Sequence, residues 1–198
     1  MTAYFVSIWL KFLILLTPFF VLSVFLALTK DWEARQRQFL AMRVTAVAIV
    51  AALLLYFLGN GIFQILGITI DAFRVGAGAL LFLSALSLVR AEPPSGCIDE
   101  GDDIAVVPLA IPVTIGPATT GALLVMGAER RILTEHLVGC GALIGSILML
   151  GGMLLMANKI QYFLGQKWVS ILGKLTGLAL SALAAQMILT GIQNFLKT

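Results

Sequence analysis

Residues 108–117 read PLAIPVTIGP, and this stretch places three prolines inside an apolar run. Proline lacks a backbone N–H, and its ring clashes with the carbonyl group four residues earlier, so a continuous helix is not expected here. Gly116 precedes Pro117 directly and tolerates backbone angles that other residues avoid. The stretch therefore predicts a broken helix.

A similar interruption occurs in the first half of the chain. Pro18 precedes Pro117 by 99 positions, and Arg74 precedes Lys174 by 100. A self-similarity of this length in a chain of 198 residues indicates two copies of one unit. Paired, proline-interrupted apolar segments in two halves of a chain are typical of transporters, whose binding region lies between them.

The composition indicates a membrane protein. Hydrophobic residues make up 60% of the chain, charged residues 12%, and the mean hydropathy is +1.04, whereas soluble domains carry roughly 25% charged residues. Backbone groups in lipid must be satisfied within their own segment, so the fold class is all-α and polytopic. Six apolar runs are long enough to span a bilayer core of roughly 30 Å: residues 4–28, 40–57, 72–89, 104–126, 137–156 and 171–196.

The two copies are joined by a polar segment. Residues 91–103 contain acids, prolines and glycines and are expected to form a flexible linker. Residues 1–90 and 104–198 then form two three-helix repeats of one integral membrane domain. Three spans is an odd number, so the second copy enters the membrane from the opposite face. This predicts a 3+3 inverted repeat in which spans one and four are broken.

The basic residues suggest an orientation. Seven flank the connections on one side and three lie on the other, so the positive-inside rule places both termini outside the cytoplasm. No basic cluster is interleaved with aromatic residues, and nucleic acid is therefore not an expected partner. The seven are Lys30, Arg35, Arg37, Arg43, Arg90, Lys159 and Lys167, and the three are Arg130, Arg131 and Lys197.

The two breaks are candidate binding regions. A half-helix N-terminus has free N–H groups and suits a substrate carboxylate, while freed carbonyl groups could hold a cation. Pro18 is expected to leave the carbonyl group of Ile14 without its helical partner. A simple proline kink without a ligand is the alternative for each break. The candidate residues are Thr17, Pro18, Thr114, Gly116, Pro117, Thr119 and Thr120.

Three further polar residues lie within the spans. Arg74 is near the start of span three, and Asp71, three residues earlier on the same helical face, is a candidate ion-pair partner. Lys174 occupies the corresponding place in span six. Its charge could line the entrance of a cavity or reach the membrane interface, and the sequence leaves both roles open. Gln186 lies about halfway along span six and is expected to face a cavity or a neighbouring helix.

Several chemistries lack support in the sequence. No carboxylate lies deep in a span, so proton transport on Asp or Glu is not expected. No nucleophile–base set, metal-ligand motif or phosphate-binding loop occurs, so we expect neither an enzyme nor a cofactor or metal. Cys97 and Cys140 are 43 positions apart, form no C-x-x-C motif and are expected to be inert.

Four segments together resemble the MarC family. These are residues 103–120 (DIAVVPLAIPVTIGPATT), 67–86 (GITIDAFRVGAGALLFLSAL), 174–192 (KLTGLALSALAAQMILTGI) and 17–29 (TPFFVLSVFLALT). The last of them departs from the family pattern, with Thr17 in place of Asn, Phe20 in place of Gly and Ser23 in place of Pro. These changes predict a narrower, more apolar first-half site.

The resemblance implies a six-span inner-membrane protein associated with transport of small neutral amino acids. We therefore expect a secondary transporter that binds a small solute between spans one and four. The alternatives are a non-transporting envelope-maintenance or assembly protein, a channel, and a thiol carrier. The expected partners are the lipid bilayer and a small solute. The sequence leaves open whether the protein is a monomer or a homo-oligomer.

Overall fold

A computed structural model describes residues 2–29, 32–90, 114–128 and 133–197. These ranges are helical apart from short connections and contain no strand. The predicted linker, Cys97, Pro108 and Pro112 lie outside them. The described helices are α1 (Thr2–Leu15), α2 (Pro18–Leu28), α3 (Ala34–Leu66), α4 (Ile70–Arg90), α5 (Pro117–Ala128), α6 (Leu133–Leu155) and α7 (Ala157–Lys197).

Five segments of the described chain are long and apolar enough to cross a membrane, which fits the predicted all-helical polytopic fold. They are Tyr4–Leu28, Ala34–Leu58, Ile70–Arg90, Glu135–Leu155 and Trp168–Leu196. The predicted fourth span, residues 104–126, is described only from residue 114 onward. Its described part contributes a shorter apolar helix, Thr119–Ala128.

Capping residues and glycines mark the ends of the helices. α3 begins with a capping box, in which the backbone N–H of Glu33 donates to Oε1 of Gln36 at 3.1 Å. α3 ends at Gly67, and α7 turns at Gly165, with φ angles of 63° and 72°. Both angles lie in the left-handed region that favours glycine. Gly165 therefore separates a short first part of α7, residues 157–164, from its long second part.

The helices pack chiefly in the pairs α4–α7, α3–α5, α1–α6, α4–α5, α3–α6 and α2–α7. Their shared core includes Phe12, Phe25, Tyr56, Leu123, Leu143 and Ile147. Other large apolar side chains, among them Phe57, Ile65 and Phe163, point outward and are exposed. Outward-facing apolar side chains are expected where the surrounding solvent is lipid.

Cross-helix contacts define two ends of the bundle. At one end, Arg37 at the start of α3 donates a hydrogen bond to Asn158 at the start of α7. At the other end, Asn194 near the end of α7 donates to Asp71 at the start of α4, over 3.2 Å. We call these ends the Arg37 face and the Asp71 face.

α4 and α7 approach each other through two glycines. A Cβ added to Gly78 would lie 3.1 Å from the carbonyl oxygen of Ala184, and one added to Gly177 would lie 3.1 Å from that of Ala85. Gly177 follows Gly78 by 99 positions, and Ala184 follows Ala85 by 99. The contact is therefore reciprocal, since each helix presents its glycine to the other's alanine.

We predict that Gly127→Ala lowers the thermal stability of the protein. A Cβ at Gly127 would collide with the carbonyl oxygen of Tyr56, so α5 and α3 would have to separate. Overpacking of this kind typically costs about 1–3 kcal/mol. The measurement is the midpoint temperature of unfolding in detergent.

Gly152→Ala is the matched control, because a Cβ at Gly152 would meet nothing within 4 Å. The same change in the same helical context should leave the midpoint unchanged or raise it, since alanine favours a helix over glycine by about 1 kcal/mol. Equal midpoints for the two variants would contradict the close α3–α5 packing.

Candidate functional site

A cavity of about 240 Å³ lies between α1, α4, α5 and α7. We call it the Arg74 cavity. Its lining residues come from all four helices, so it exists only where both halves of the chain meet. They are Lys11, Leu15, Arg74, Leu81, Ala122, Val125, Met126, Leu183, Gln186, Met187 and Thr190.

Four of these lining residues are polar, and they mark the open part of the cavity. Lys11 and Gln186 are exposed, whereas Arg74 is buried at 6% exposure. Thr190 lies one helical turn after Gln186 and donates its hydroxyl hydrogen to the Gln186 carbonyl oxygen at 2.8 Å. Arg74 is five residues into α4, so the cavity extends from the Asp71 face toward the middle of the bundle.

Arg74 is held by an ion pair on its own helix. Its Nη1 atom lies 2.9 Å from Oδ1 of Asp71, as the three-residue spacing predicts. The same Oδ1 atom accepts the hydrogen bond from Asn194 of α7. Asp71 thus fixes the guanidinium group beside the cavity and links α4 to α7 at the same point.

The chain between α1 and α2 passes through one left-handed residue. Thr17 has φ 46° and ψ 58°, and its backbone N–H donates to the carbonyl oxygen of Ile14 at 3.0 Å. Pro18 cannot supply the regular helical donor to the Ile14 carbonyl group, and the N–H of Thr17, one residue earlier in the chain, takes its place. Thr17 and Pro18 are both buried.

The chain before α5, described from residue 114, differs because it contains no left-handed residue. α5 begins at Pro117, and the N–H of Thr120 donates to the carbonyl oxygen of Gly116 at 2.8 Å. Thr114 and Thr119 are buried, and Gly116 and Thr120 are partly buried. None of these residues lines the Arg74 cavity.

The structure brings together two of the predicted site residues, Arg74 and Gln186, and separates them from the others. The cavity approaches the breaks without reaching them, since Leu15 lies two positions before Thr17 and Ala122 two positions after Thr120. Lys174 is exposed and lies on the part of α7 nearest the Arg37 face, so it is not a second cation at this cavity.

Sequence reasoning missed Lys11 and Thr190. Lys11 is the eighth residue of the apolar run 4–28, and a lysine within such a run is itself a signal of function. Thr190 could have been found from its four-residue spacing to Gln186, because residues at that spacing share a helical face.

Two other reactive side chains lie away from the cavity. His136 is packed against aromatic rings, 6.0 Å from the Tyr56 centroid and stacked at 17° to Phe57. Cys140 lies in α6 and forms no disulfide. The described ranges contain no cluster of three or more His, Cys, Asp or Glu side chains that could hold a metal ion.

Comparison with known proteins gives matches over nearly the whole chain. The model of the family described as "MarC family integral membrane protein" matches residues 2–196. The UPF0056 membrane protein MJ1677 of Methanocaldococcus jannaschii is 30% identical, with 98% of each chain covered. The UPF0056 inner membrane protein YhgN of Escherichia coli K12 is 29% identical, covering 93% of this chain and 94% of that protein. No solved structure matches.

We predict that Thr17→Asn stabilises the protein by about 1 kcal/mol. The left-handed conformation costs most L-residues roughly 1–2 kcal/mol, and asparagine adopts it more readily than a β-branched residue does. Asparagine is also the residue that the sequence resemblance places here. The measurement is the unfolding midpoint in detergent.

Thr17→Val serves as the control, because valine keeps the β-branched shape and the backbone strain. It should give no gain in the unfolding midpoint. A valine variant as stable as the asparagine variant would show that the left-handed backbone is not what limits stability at this position.

Proposed function

Because the chain belongs to the MarC family of integral membrane proteins, we propose that it is a secondary transporter of a small solute. The Arg74 cavity is the observation that carries this proposal. The sequence resemblance makes small neutral amino acids the first class of solute to test. The E. coli relative is named an inner membrane protein, and we propose the same location for this chain.

The cavity is lined partly by polar and charged side chains, which a binding site requires and a packed core does not. Lys11, Arg74 and Gln186 lie within spans, where polar and charged groups are costly and mark substrate paths. A helix bundle with a purely structural role would be more stable with apolar side chains at these positions. Since liquid water takes about 30 Å³ per molecule, a cavity of about 240 Å³ suits a solute with the size of a small amino acid.

The reciprocal contact of α4 and α7 supports an inverted repeat. Two copies related by a two-fold axis must place equivalent residues against each other, and Gly78 with Ala184 is equivalent to Gly177 with Ala85 at a constant offset of 99. One further packed pair is matched in the same way, since α4–α5 corresponds to α7–α2. Such a repeat can alternate its access by rocking one half against the other.

The two breaks support the transporter proposal, because they can act as its hinges. Both are next to the inner end of the cavity, and both are closed, because Thr17, Thr114 and Thr119 are buried. A transporter open to the Asp71 face is expected to be sealed at this depth. The burial also fits the alternative function, a non-transporting envelope-maintenance or assembly protein, which requires permanently closed breaks. The polar lining of the cavity is what favours transport.

The charge distribution supports an orientation for the transporter. Arg37 and Asn158 meet at the Arg37 face, and the first and fifth connections carry most of the basic residues. We propose that this face is cytoplasmic and that both termini lie outside the cytoplasm. The Arg74 cavity would then be open to the outside in this conformation.

We predict that Thr190→Phe abolishes solute movement. Phenylalanine at this partly buried lining position would fill the cavity without replacing a core residue. The measurement is uptake and efflux of a labelled panel of small amino acids and short aliphatic carboxylates in proteoliposomes that contain the full chain.

Ala182→Phe is the matched control, since Ala182 is exposed on the same helix and lines no part of the cavity. It should move solute at the unsubstituted rate. If no member of a broad panel moves with the unsubstituted protein, or if the Thr190 variant moves solute normally, the transporter proposal is wrong.

We predict that Gly116→Leu reduces transport by about tenfold or more without changing solute binding. A large side chain at the break would oppose rearrangement of the chain before α5, whereas Gly116 itself lies outside the cavity. Gly152→Leu is the control, because its surroundings are open. Unchanged transport by the Gly116 variant would contradict the assignment of this break as a hinge.

A further inference from the structure

We propose that the Arg74 cavity selects a small aliphatic carboxylate and that Lys11 is the counter-ion of its carboxylate group. This inference rests on the proposed transport function and names the substrate class of the same cavity. It separates solutes that carry a net negative charge from zwitterionic amino acids of the same shape.

The cavity has an excess of positive charge. None of its eleven lining residues is acidic, and two of them, Lys11 and Arg74, are cations. Arg74 is balanced by Asp71 at 2.9 Å. The remaining acids in the described ranges, Glu33 and Glu135, lie at helix starts and line no part of the cavity, and no described acid forms an ion pair with Lys11. The charge of Lys11 is therefore left for a ligand.

The depth of Lys11 strengthens this conclusion. Lys11 is the eighth residue of the apolar segment Tyr4–Leu28, so at 1.5 Å per residue it lies roughly 10 Å beyond the start of the span. That is about a third of the way across a bilayer core of roughly 30 Å. A lysine at this depth is costly unless it meets water or an anion. A solute carboxylate in the cavity supplies the anion.

The rest of the lining defines the other parts of the solute. Seven lining residues are apolar and would surround a short aliphatic chain: Leu15, Leu81, Ala122, Val125, Met126, Leu183 and Met187. Gln186 and Thr190 follow each other by one turn on α7 and offer an amide and a hydroxyl group for orientation. The cavity thus suits a molecule with one charged end and one apolar end.

An α-ammonium group on the solute would be unfavourable here. It would bring a third cation beside Lys11 and Arg74, and the nearby carboxylate, Asp71, already accepts from Arg74 and Asn194. Like charges that share a site repel each other, more strongly where water is excluded. Valine and 3-methylbutanoate differ by this ammonium group alone, so the two compounds isolate its effect.

The test is isothermal titration calorimetry on the purified full chain in detergent, with 3-methylbutanoate, valine and isobutylamine as probes. We expect 3-methylbutanoate to bind about tenfold more tightly than valine and isobutylamine not to bind. Lys11→Gln should weaken the binding of 3-methylbutanoate by about tenfold or more, because a charge-assisted hydrogen bond is lost. Lys11→Arg should retain binding, and Lys174→Gln, which alters an exposed cation outside the cavity, should change nothing.

Valine binding as tightly as 3-methylbutanoate would overturn the proposal, and so would unchanged binding by Lys11→Gln. The same titration in nanodiscs of phosphatidylcholine, with and without phosphatidylglycerol, tests a lipid phosphate as the source of the anion. Competition by phosphatidylglycerol that disappears in Lys11→Gln would replace the soluble carboxylate with a lipid headgroup and overturn the solute assignment.

These outcomes are distinct from failure of the transport function. Valine flux that is blocked by Thr190→Phe and insensitive to Lys11→Gln would keep the transporter and remove the carboxylate preference. Lys11-dependent binding of 3-methylbutanoate, together with no flux of any solute in proteoliposomes, would keep the anion site and remove the transporter.

Discussion

The close approach of α4 and α7 is the constraint on which the rest of the structure depends. Gly78 and Gly177 let each backbone meet the other's carbonyl groups, and in lipid such close packing replaces the hydrophobic effect as the source of helix association. This crossing sets Arg74 and Leu81 of α4 opposite the part of α7 that carries Gln186. The two helices stay in contact as far as the Asp71 face, where a Cβ added to Gly191 would lie 2.8 Å from the carbonyl oxygen of Asp71. The cavity lies beside this contact, where α1 and α5 complete its lining.

The charged side chains of this bundle are either paired with an opposite charge or placed at the cavity or the surface. Arg74 is buried and would be costly alone, and Asp71 offsets its charge within the same helix while also accepting from Asn194. The cluster therefore stabilises the α4–α7 contact and leaves the cavity with the charge of Lys11. Lys174, by contrast, is exposed and lines no part of the cavity.

The sequence predicts the family, the helical class and the Asp71–Arg74 pair, because each depends on composition or on local spacing. It does not predict which helix face lines the cavity. In a soluble helix a polar stripe marks the solvent side, but here the lipid side and the core side are both apolar, as Phe57 and Phe12 illustrate. The sequence signals at Lys11 and Thr190 mark polar positions but do not show that both line one cavity, which depends on how the helices cross. Pro18 and Pro117 lie beside this cavity and do not line it.

The two broken spans contribute unequally to the cavity, and in a different way from the narrower, more apolar first-half site that the sequence predicts. α5 supplies only apolar lining, from Ala122, Val125 and Met126, whereas α1 supplies Lys11. Thr17 adopts a left-handed conformation that asparagine adopts more readily, so the departure from the family pattern at this position changes the backbone energy of the break rather than a ligand contact. The polar lining comes from α1, α4 and α7, and the breaks that we propose as hinges lie next to it and would move those groups.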